Sequence, residues 1–127
     1  MQKQLDAVAA FHRAFGVGIA KAPLADTPLG IKNLRHKLMA EENNEYLEAA
    51  NANDLVEVAD ALGDMLYILC GTILTHGMQH IIEEVFDEIQ QSNMSKLGED
   101  GKPIYREDGK VMKGPQYRKP NLKQFLD

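Results

Sequence analysis

The sequence predicts an all-α protein, arranged as an antiparallel four-helix bundle with an irregular C-terminal tail. Apolar residues recur at helical spacing through most of residues 1–93, and no segment alternates strongly enough to supply a full sheet. Four of the ten Gly and three of the five Pro lie in residues 94–127. Since 127 residues suit one domain, we interpret residues 1–127 as a single domain, with a helical body over about 1–93 and a tail over about 94–127.

The first helix is predicted over Gln2–Phe15, where apolar side chains form a broad stripe. Gly16 and Gly18 are expected to end it, and a loop follows. The stripe comprises Leu5, Val8, Ala9, Phe11 and Phe15. We therefore expect a core role for the two Phe.

The second helix is predicted over about Leu29–Ala52. Thr27 is expected to cap it and Pro28 to occupy its first position, where the missing N–H of proline costs nothing. Asn51 and Asn53 are expected to end it.

The third helix is predicted from Asp54 to Gly77 and is apolar on nearly every side beyond Asp64. Such a helix must be covered all round, and in so short a chain a second subunit is the simplest cover. We therefore expect a homodimer or homotetramer. The longest nearly apolar stretch, Met65–Leu74, is about half of what spans a bilayer. With no secretory signal in MQKQLDAVAA, we expect a soluble, cytoplasmic protein without a membrane partner.

The fourth helix is predicted roughly over Met78–Asn93, with its acidic side chains in solvent. These are Glu83, Glu84, Asp87 and Glu88. The tail then contains EDGKP and EDGKV, and Asp-Gly pairs favour tight turns. This pattern is compatible with a short hairpin around residues 101–112.

The charges are distributed unevenly along the chain. Residues 1–93 carry 6 basic and 14 acidic side chains, whereas residues 94–127 carry 8 basic and 5 acidic ones. An acidic body with a basic tail is poorly suited to gripping a nucleic-acid backbone, so we expect no nucleic-acid partner. The distribution suits a site that holds cations beside polyphosphate oxygens. The single cysteine, Cys70, excludes an internal disulfide and a Cys-cluster zinc site, and we expect it in the core.

Carboxylates are concentrated on the second and third helices. The segment EENNEYLE supplies Glu41, Glu42, Glu45 and Glu48, and EVADALGD supplies Glu57, Asp60 and Asp64. A short Asn-rich turn joins the two helices, so we expect them to be antiparallel neighbours with these carboxylates facing each other. Such charges repel unless a cation neutralises them. Ligands that are all carboxylate oxygens suit Mg²⁺ or Mn²⁺ rather than zinc.

These carboxylates could also be present without binding a metal of this kind. Glutamates on a helix are usually solvated, and Asp54 followed three residues later by Glu57 resembles a capping box, which accounts for Glu57 without a metal. A ferritin-like di-iron centre needs a Glu three residues before a His, and none of the four His has one. The sequence has no Walker-type phosphate loop.

The pattern EExxE at residues 41–45, followed by ExxD at residues 57–60, resembles the MazG-like all-α nucleoside triphosphate pyrophosphohydrolase superfamily. That superfamily includes dimeric dUTPases and phosphoribosyl-ATP pyrophosphohydrolase. The similarity extends through DALGDMLYILCGT, SNMSK at residues 92–96 and DGKVMKGPQY at residues 108–117, and to a first helix containing Phe11 and His12.

One position departs from the superfamily pattern. An aspartate usually stands directly before an apolar LLY-like run, and here that residue is Asp64. Three residues earlier the chain has Ala61 in place of the usual Glu. We expect Asp60, one turn before Asp64, to supply the missing carboxylate.

The resemblance implies metal-dependent hydrolysis of a nucleoside triphosphate, or a related nucleotide, between the α and β phosphates. It implies Mg²⁺, or alternatively Mn²⁺, bound by Glu42, Glu45, Asp60 and Asp64, with Glu57 as a further candidate. Glu41 or Glu42 would orient or deprotonate the attacking water. The expected substrate-binding residues are Asn93, Lys96, Lys110, Lys113, Tyr117 and His12.

A different class of function stays open. The protein could be a non-catalytic dimeric helical module that only binds nucleotide or mediates protein association. No residue pattern identifies the base or the sugar of a substrate. Phe11, His12 and Phe15 are the candidates for shaping a base pocket, as an alternative to the core role expected of the two Phe.

Overall fold

A computed structural model describes residues 1–126. Its four α-helices are α1 (Gln2–Phe15), α2 (Leu29–Asn51), α3 (Leu55–Thr75) and α4 (Ile82–Met94). Within the described residues there is no extended strand, and a short 3-10 helix spans Lys123–Phe125. The prediction of an all-α protein with four helices is confirmed. The chain divides into two compact units, Met1–His80 with α1 to α3, and a second from Ile81 onward with α4. The interpretation of the chain as one domain stays a prediction.

A three-residue turn joins α2 to α3. Asn53 in this turn adopts a φ of 55°, which asparagine tolerates better than most residues. Asp54 then caps α3, since its carboxylate accepts a hydrogen bond of 3.2 Å from the backbone N–H of Glu57. The expected cap is therefore observed on the Asp54 side.

The seam between α2 and α3 is antiparallel. At the end far from the turn, the Arg35 guanidinium on α2 donates to the Ile68 carbonyl (2.8 Å) and to the Thr72 hydroxyl (3.1 Å) on α3. Nearer the turn, Glu42 approaches Asp64. Because positions on α2 rise as their partners on α3 fall, the two helices run in opposite directions, as predicted.

The core of the first unit lies where α1 packs on α3. Its fully buried side chains include Leu5 and Cys70, so the expectation for the cysteine is confirmed. The core role expected of Phe11 and Phe15 is wrong for the single chain, because these side chains are 41% and 69% exposed. The apolar stripe of α1 is wider than its contact with α3. The rings therefore stack on each other at 4.3 Å outside the core.

The start of α2 differs from the prediction. Pro28 has a ψ of 142°, so it precedes the helix as its N-cap residue instead of occupying the first position. No side chain caps this helix. The hydroxyl of Thr27, the expected cap, is buried and has no hydrogen-bond partner.

The junction between α3 and α4 is longer than predicted, because α4 begins at Ile82 and not at Met78. Gly77 adopts a φ of 68°. The N–H of Met78 donates to the Ile73 carbonyl at 3.0 Å, and that of Gly77 to the Leu74 carbonyl at 3.2 Å. This pair of bonds is a Schellman motif, which ends α3 and turns the chain out of helical geometry.

The second unit anchors its tail on α4. The Arg118 guanidinium donates to the Glu88 carboxylate at 2.6 Å and to Gln91 at 2.9 Å. The solvated position expected of Glu88 is therefore wrong, because the returning tail buries it. Tyr105 and Val111 form an antiparallel bridge, which agrees with the short hairpin suggested by the two Asp-Gly signals.

Among the described residues, α3 is long and apolar enough to cross a membrane by length and composition. The expectation that rested on Met65–Leu74 alone did not consider the whole helix. Only 28% of its most apolar window is buried within the single chain. The helix therefore presents apolar surface that the first unit itself does not cover.

Candidate metal centre

Three carboxylates from α2 and α3 form one cluster. Glu42 and Glu45 lie on α2, and Asp64 lies on α3. Each offers one carboxylate oxygen, and these three oxygens lie within 4.8 Å of one another. Glu42 and Asp64 are half-buried whereas Glu45 is exposed, so solvent reaches one side of the cluster.

The helical hairpin explains why these residues meet. Glu42 and Glu45 are three residues apart and therefore neighbours on the surface of α2. On the turn side of the cluster, the buried side chains of Ala49 and Ala61 are small and allow the two helices to approach closely. Ala61, which stands where the superfamily pattern has Glu, thus serves the packing of the seam.

The environment of Glu42 is unfavourable to its charged form. Burial is the largest cause that raises the pKa of Glu42, followed by a hydrogen-bond interaction with Glu45. The negative charges of Glu45, Asp64 and Asp60 raise this pKa further. The Oε2 atom of Glu42 is also buried and has no hydrogen-bond partner. A buried acceptor of this kind is costly.

A divalent cation would resolve both unfavourable features. It would neutralise the mutual repulsion of the three carboxylates and would coordinate the unpartnered oxygen of Glu42. All the donors are carboxylate oxygens, which hard cations prefer. The residues present therefore fit a divalent metal ion.

Asp60 and Glu57 lie beside the cluster rather than in it. Asp60 acts on the pKa of Glu42 through its charge, but it is not one of the three residues whose oxygens converge. Asp60, Glu57 and Glu48 line a neighbouring cavity of about 540 Å³ next to the α2–α3 turn. Ligand roles for Asp60 and Glu57 stay predictions.

The two candidate bases are placed differently. Glu41 is exposed, and its carboxylate lies 4.0 Å from the Lys37 ammonium one turn away. Glu42, the next residue, belongs to the cluster. The structure thus brings Glu42, but not Glu41, together with the other carboxylates.

His12 lies in the core of the first unit, away from the carboxylate cluster. Its side chain is only 2% exposed, and its Nδ1 lies 3.2 Å from the Gly18 carbonyl oxygen. Burial is the main cause that lowers its pKa, and the charge of Arg35 adds to this. The expected contact of His12 with substrate stays a prediction.

The other expected substrate-binding residues belong to the second unit. The Lys113 ammonium lies 4.7 Å from the centre of the Tyr117 ring. The backbone N–H of Lys110 donates to the Asp108 carboxylate, and the carbonyl of Lys96 accepts from Gly114. Asn93 is exposed near the end of α4. Phosphate contacts by Asn93 and by these other residues stay predictions.

Sequence reasoning missed Arg35, whose guanidinium links α2 to α3 near the cluster. Arg35 precedes Glu42 by seven residues, which is about two helical turns and nearly the same face. That spacing was visible in the sequence. A single arginine on a helix is usually solvated, so the spacing alone did not identify a buried one.

A scan against protein families matches residues 8–93 to phosphoribosyl-ATP pyrophosphohydrolase. A comparison with curated proteins gave no match. The family match spans both helices that carry the carboxylate cluster. Because it covers about two thirds of the chain, and because the superfamily resemblance of the motifs agrees with it, the protein belongs to the phosphoribosyl-ATP pyrophosphohydrolase family, within the MazG-like all-α nucleoside triphosphate pyrophosphohydrolase superfamily.

Proposed function

We propose that the protein hydrolyses a nucleoside triphosphate, or a related nucleotide, between its α and β phosphates, with Mg²⁺ or Mn²⁺ bound by Glu42, Glu45 and Asp64. The family supports pyrophosphohydrolase activity on a nucleotide in general. The observation that carries the finer proposal is the convergence of three carboxylate oxygens within 4.8 Å, one residue of which has a buried, unpartnered oxygen.

The cation would supply electrostatic stabilisation of the charge that develops on the phosphate oxygens. Glu42 and Asp64 would hold it from the two helices, and Glu45 would complete the set on the exposed side. Since these side chains sit on two packed helices rather than on loops, their positions are fixed before a nucleotide arrives.

The attacking water would be oriented or deprotonated by Glu41 or Glu42. Glu42 is the stronger candidate, because Glu41 is exposed and lies beside Lys37. The raised pKa of Glu42 also makes it a better proton acceptor than an ordinary glutamate. The proposed products are a nucleoside monophosphate and pyrophosphate.

We further propose that the protein acts as a homodimer or homotetramer in the cytoplasm. The support for oligomerisation is the uncovered apolar face of α3. A second subunit would cover this face without placing the carboxylates of α3 in lipid, where unpaired charges are costly.

The proposal is tested by product analysis with a panel of nucleoside triphosphates and Mg²⁺ or Mn²⁺. Glu45→Gln and Asp64→Asn should each lose several orders of magnitude in kcat, because metals carry a large share of catalysis in phosphoryl transfer. Both variants should keep the apo fold, since each removes a repulsive charge.

Glu57→Gln is the matched control, because Glu57 lies on the same helix but outside the converging group. Asp54 binds only the backbone N–H of Glu57, so this variant should keep both its helix cap and most of its activity. Orthophosphate as the primary product would contradict the proposal. Full activity of Asp64→Asn would do so as well, and nucleotide binding without turnover would favour the non-catalytic module.

A further inference from the structure

A second cavity lies in the first unit, at the end of the α2–α3 seam far from the turn. Its volume is about 460 Å³. The loop at residues 16–20 forms one wall, and Leu24, Ile31 and Leu34 form most of the rest. Arg35, Thr27 and Thr75 also line it. The walls are therefore apolar, with a few polar groups among them.

Arg35 is the only cation that lines this cavity, and it is 93% buried, with a relative exposure of 7%. Within residues 1–126 no carboxylate pairs with it. Its Nε and Nη2 donate to α3, whereas Nη1 makes no hydrogen bond with any described residue. Burial lowers the pKa of Arg35, which indicates the cost of placing this charge away from water.

Thr27 is a second polar residue without a partner at the same cavity. It is 6% exposed, and its hydroxyl oxygen has no hydrogen-bond partner. It does not cap α2, which would be its ordinary role before a helix. Thr75, by contrast, is satisfied, because its hydroxyl donates to the Gly71 carbonyl.

We propose that this cavity binds a small monocarboxylate with a short apolar chain, whose carboxylate pairs with Arg35 and the Thr27 hydroxyl while the chain lies against Val17, Leu24 and Ile31. One buried cation balances one negative charge, and carboxylates form strong charge-assisted hydrogen bonds with guanidinium groups. Phosphate fits less well, because it carries more charge than the single cation offsets and has no apolar part for these walls.

The test uses the ¹⁵N-labelled full chain without added divalent metal or nucleotide, so its result is independent of the proposed reaction. Hexanoate is titrated and followed by amide chemical shifts. We expect saturable shifts at Gly16, Val17 and Gly18, which line the cavity. Hexanol has the chain without the charge and phosphate has charge without the chain, so each should bind at least roughly tenfold more weakly than hexanoate.

Thr27→Val should weaken hexanoate binding roughly tenfold, as expected for the loss of a hydrogen bond to a charged group. It should not lower stability, because the hydroxyl it removes has no partner. Arg35→Met should abolish binding. Lys37→Met is the matched control, because it removes a neighbouring cation of α2 that is 73% exposed and outside the cavity.

If Arg35→Met fails to fold, Thr27→Val and the three-probe comparison decide. The proposal is overturned if hexanoate produces no saturable shifts at tens of millimolar, or if Thr27→Val binds it as tightly as the unmodified chain. It is also overturned if phosphate or hexanol binds as tightly as hexanoate.

Discussion

Single residues decide whether the carboxylate cluster tolerates the absence of a metal. Glu42 is the critical one, since burial and three negative neighbours raise its pKa. In the folded apo protein it therefore retains its proton at pH values where the unfolded chain has already lost it. The folded state binds more protons in this window, so apo stability falls as pH rises through the folded pKa of Glu42.

Glu42→Gln should therefore raise the melting temperature of the metal-free protein at neutral pH, because a neutral amide replaces a repelled carboxylate. At pH values below the ordinary glutamate pKa, the difference between the variant and the unmodified chain should shrink. Thermal unfolding in the presence of a chelator, measured across this pH range, checks the prediction. Added Mg²⁺ should stabilise the unmodified chain and not the variant, and a variant less stable than the parent at neutral pH would be inconsistent with this account.

At the scale of elements, α3 depends on one glycine for its contacts with α1 and α2. A Cβ at Gly71 would overlap the Arg35 guanidinium and would lie 2.9 Å from His12 Nε2. Both neighbours are buried, so neither can move aside freely. The absence of a side chain at Gly71 is what allows Arg35 to reach the Ile68 carbonyl.

Gly71→Ala should therefore destabilise the protein by about 1–3 kcal/mol, the usual range for overpacking a core. Gly63→Ala on the same helix is the matched control, because nothing lies within 4 Å of its added Cβ. That variant should be neutral or stabilised by about 0.5–1 kcal/mol through helix propensity. Equilibrium urea unfolding of both variants measures the difference, and equal stabilities would contradict this description of the seam.

The second unit contains an element-scale contact that depends on pH. Glu88 accepts hydrogen bonds from Arg118 (2.6 Å) and from the backbone N–H of Asn121 (3.1 Å). The Arg118 hydrogen bond is the largest cause that lowers the pKa of Glu88, followed by that from Asn121. The contact therefore contributes stability above the ordinary glutamate pKa and loses it as pH falls through the lower, folded value.

Acidification below the ordinary glutamate pKa should thus release the tail from α4. The amide hydrogen-exchange protection of Asn121 reports this locally and should fall with pH beyond the intrinsic change in exchange rate. Glu88→Gln should show weak protection already at neutral pH. Asp87→Asn, which alters the adjacent exposed carboxylate of α4, should behave like the unmodified chain, and a loss of protection in that variant would argue against a specific role for Glu88.

At the scale of the whole molecule, the apolar surface of α3 exceeds what the first unit covers. A groove of about 640 Å³ runs between α2 and α3, lined by Met39, Ala40, Met65, Leu66 and Leu69, together with His36 and Asn43. Leu66 and Leu69 are 41% and 46% exposed. Contiguous apolar surface of this kind is typical of protein interfaces.

We therefore predict at least a dimer in solution, with the groove at the interface. Leu66→Gln should shift the population towards monomer in sedimentation experiments at micromolar concentration. Leu55→Gln is the control, because Leu55 is 80% exposed on the same helix but does not line the groove. A well-folded monomer of the unmodified chain at this concentration would show that the groove has another role.

The sequence by itself determined the all-α class, the antiparallel seam of α2 and α3, and the carboxylate pairs on both helices. These features follow from local rules, namely helical periodicity, a short Asn-rich turn and residue spacing on a helix face. The start of α4, by contrast, depended on hydrogen bonds of Met78 and Gly77 back to α3, which local propensity does not encode.

Only the tertiary structure decided which carboxylates converge, because their distances depend on how α2 and α3 pack. It separated Asp64 from Asp60 and Glu57. It also buried Glu88 beneath Arg118 and left Phe15 exposed, both against expectation. In each case the deciding partner lies far away in the sequence or is missing from the single chain, and periodicity along one helix carries no information about either.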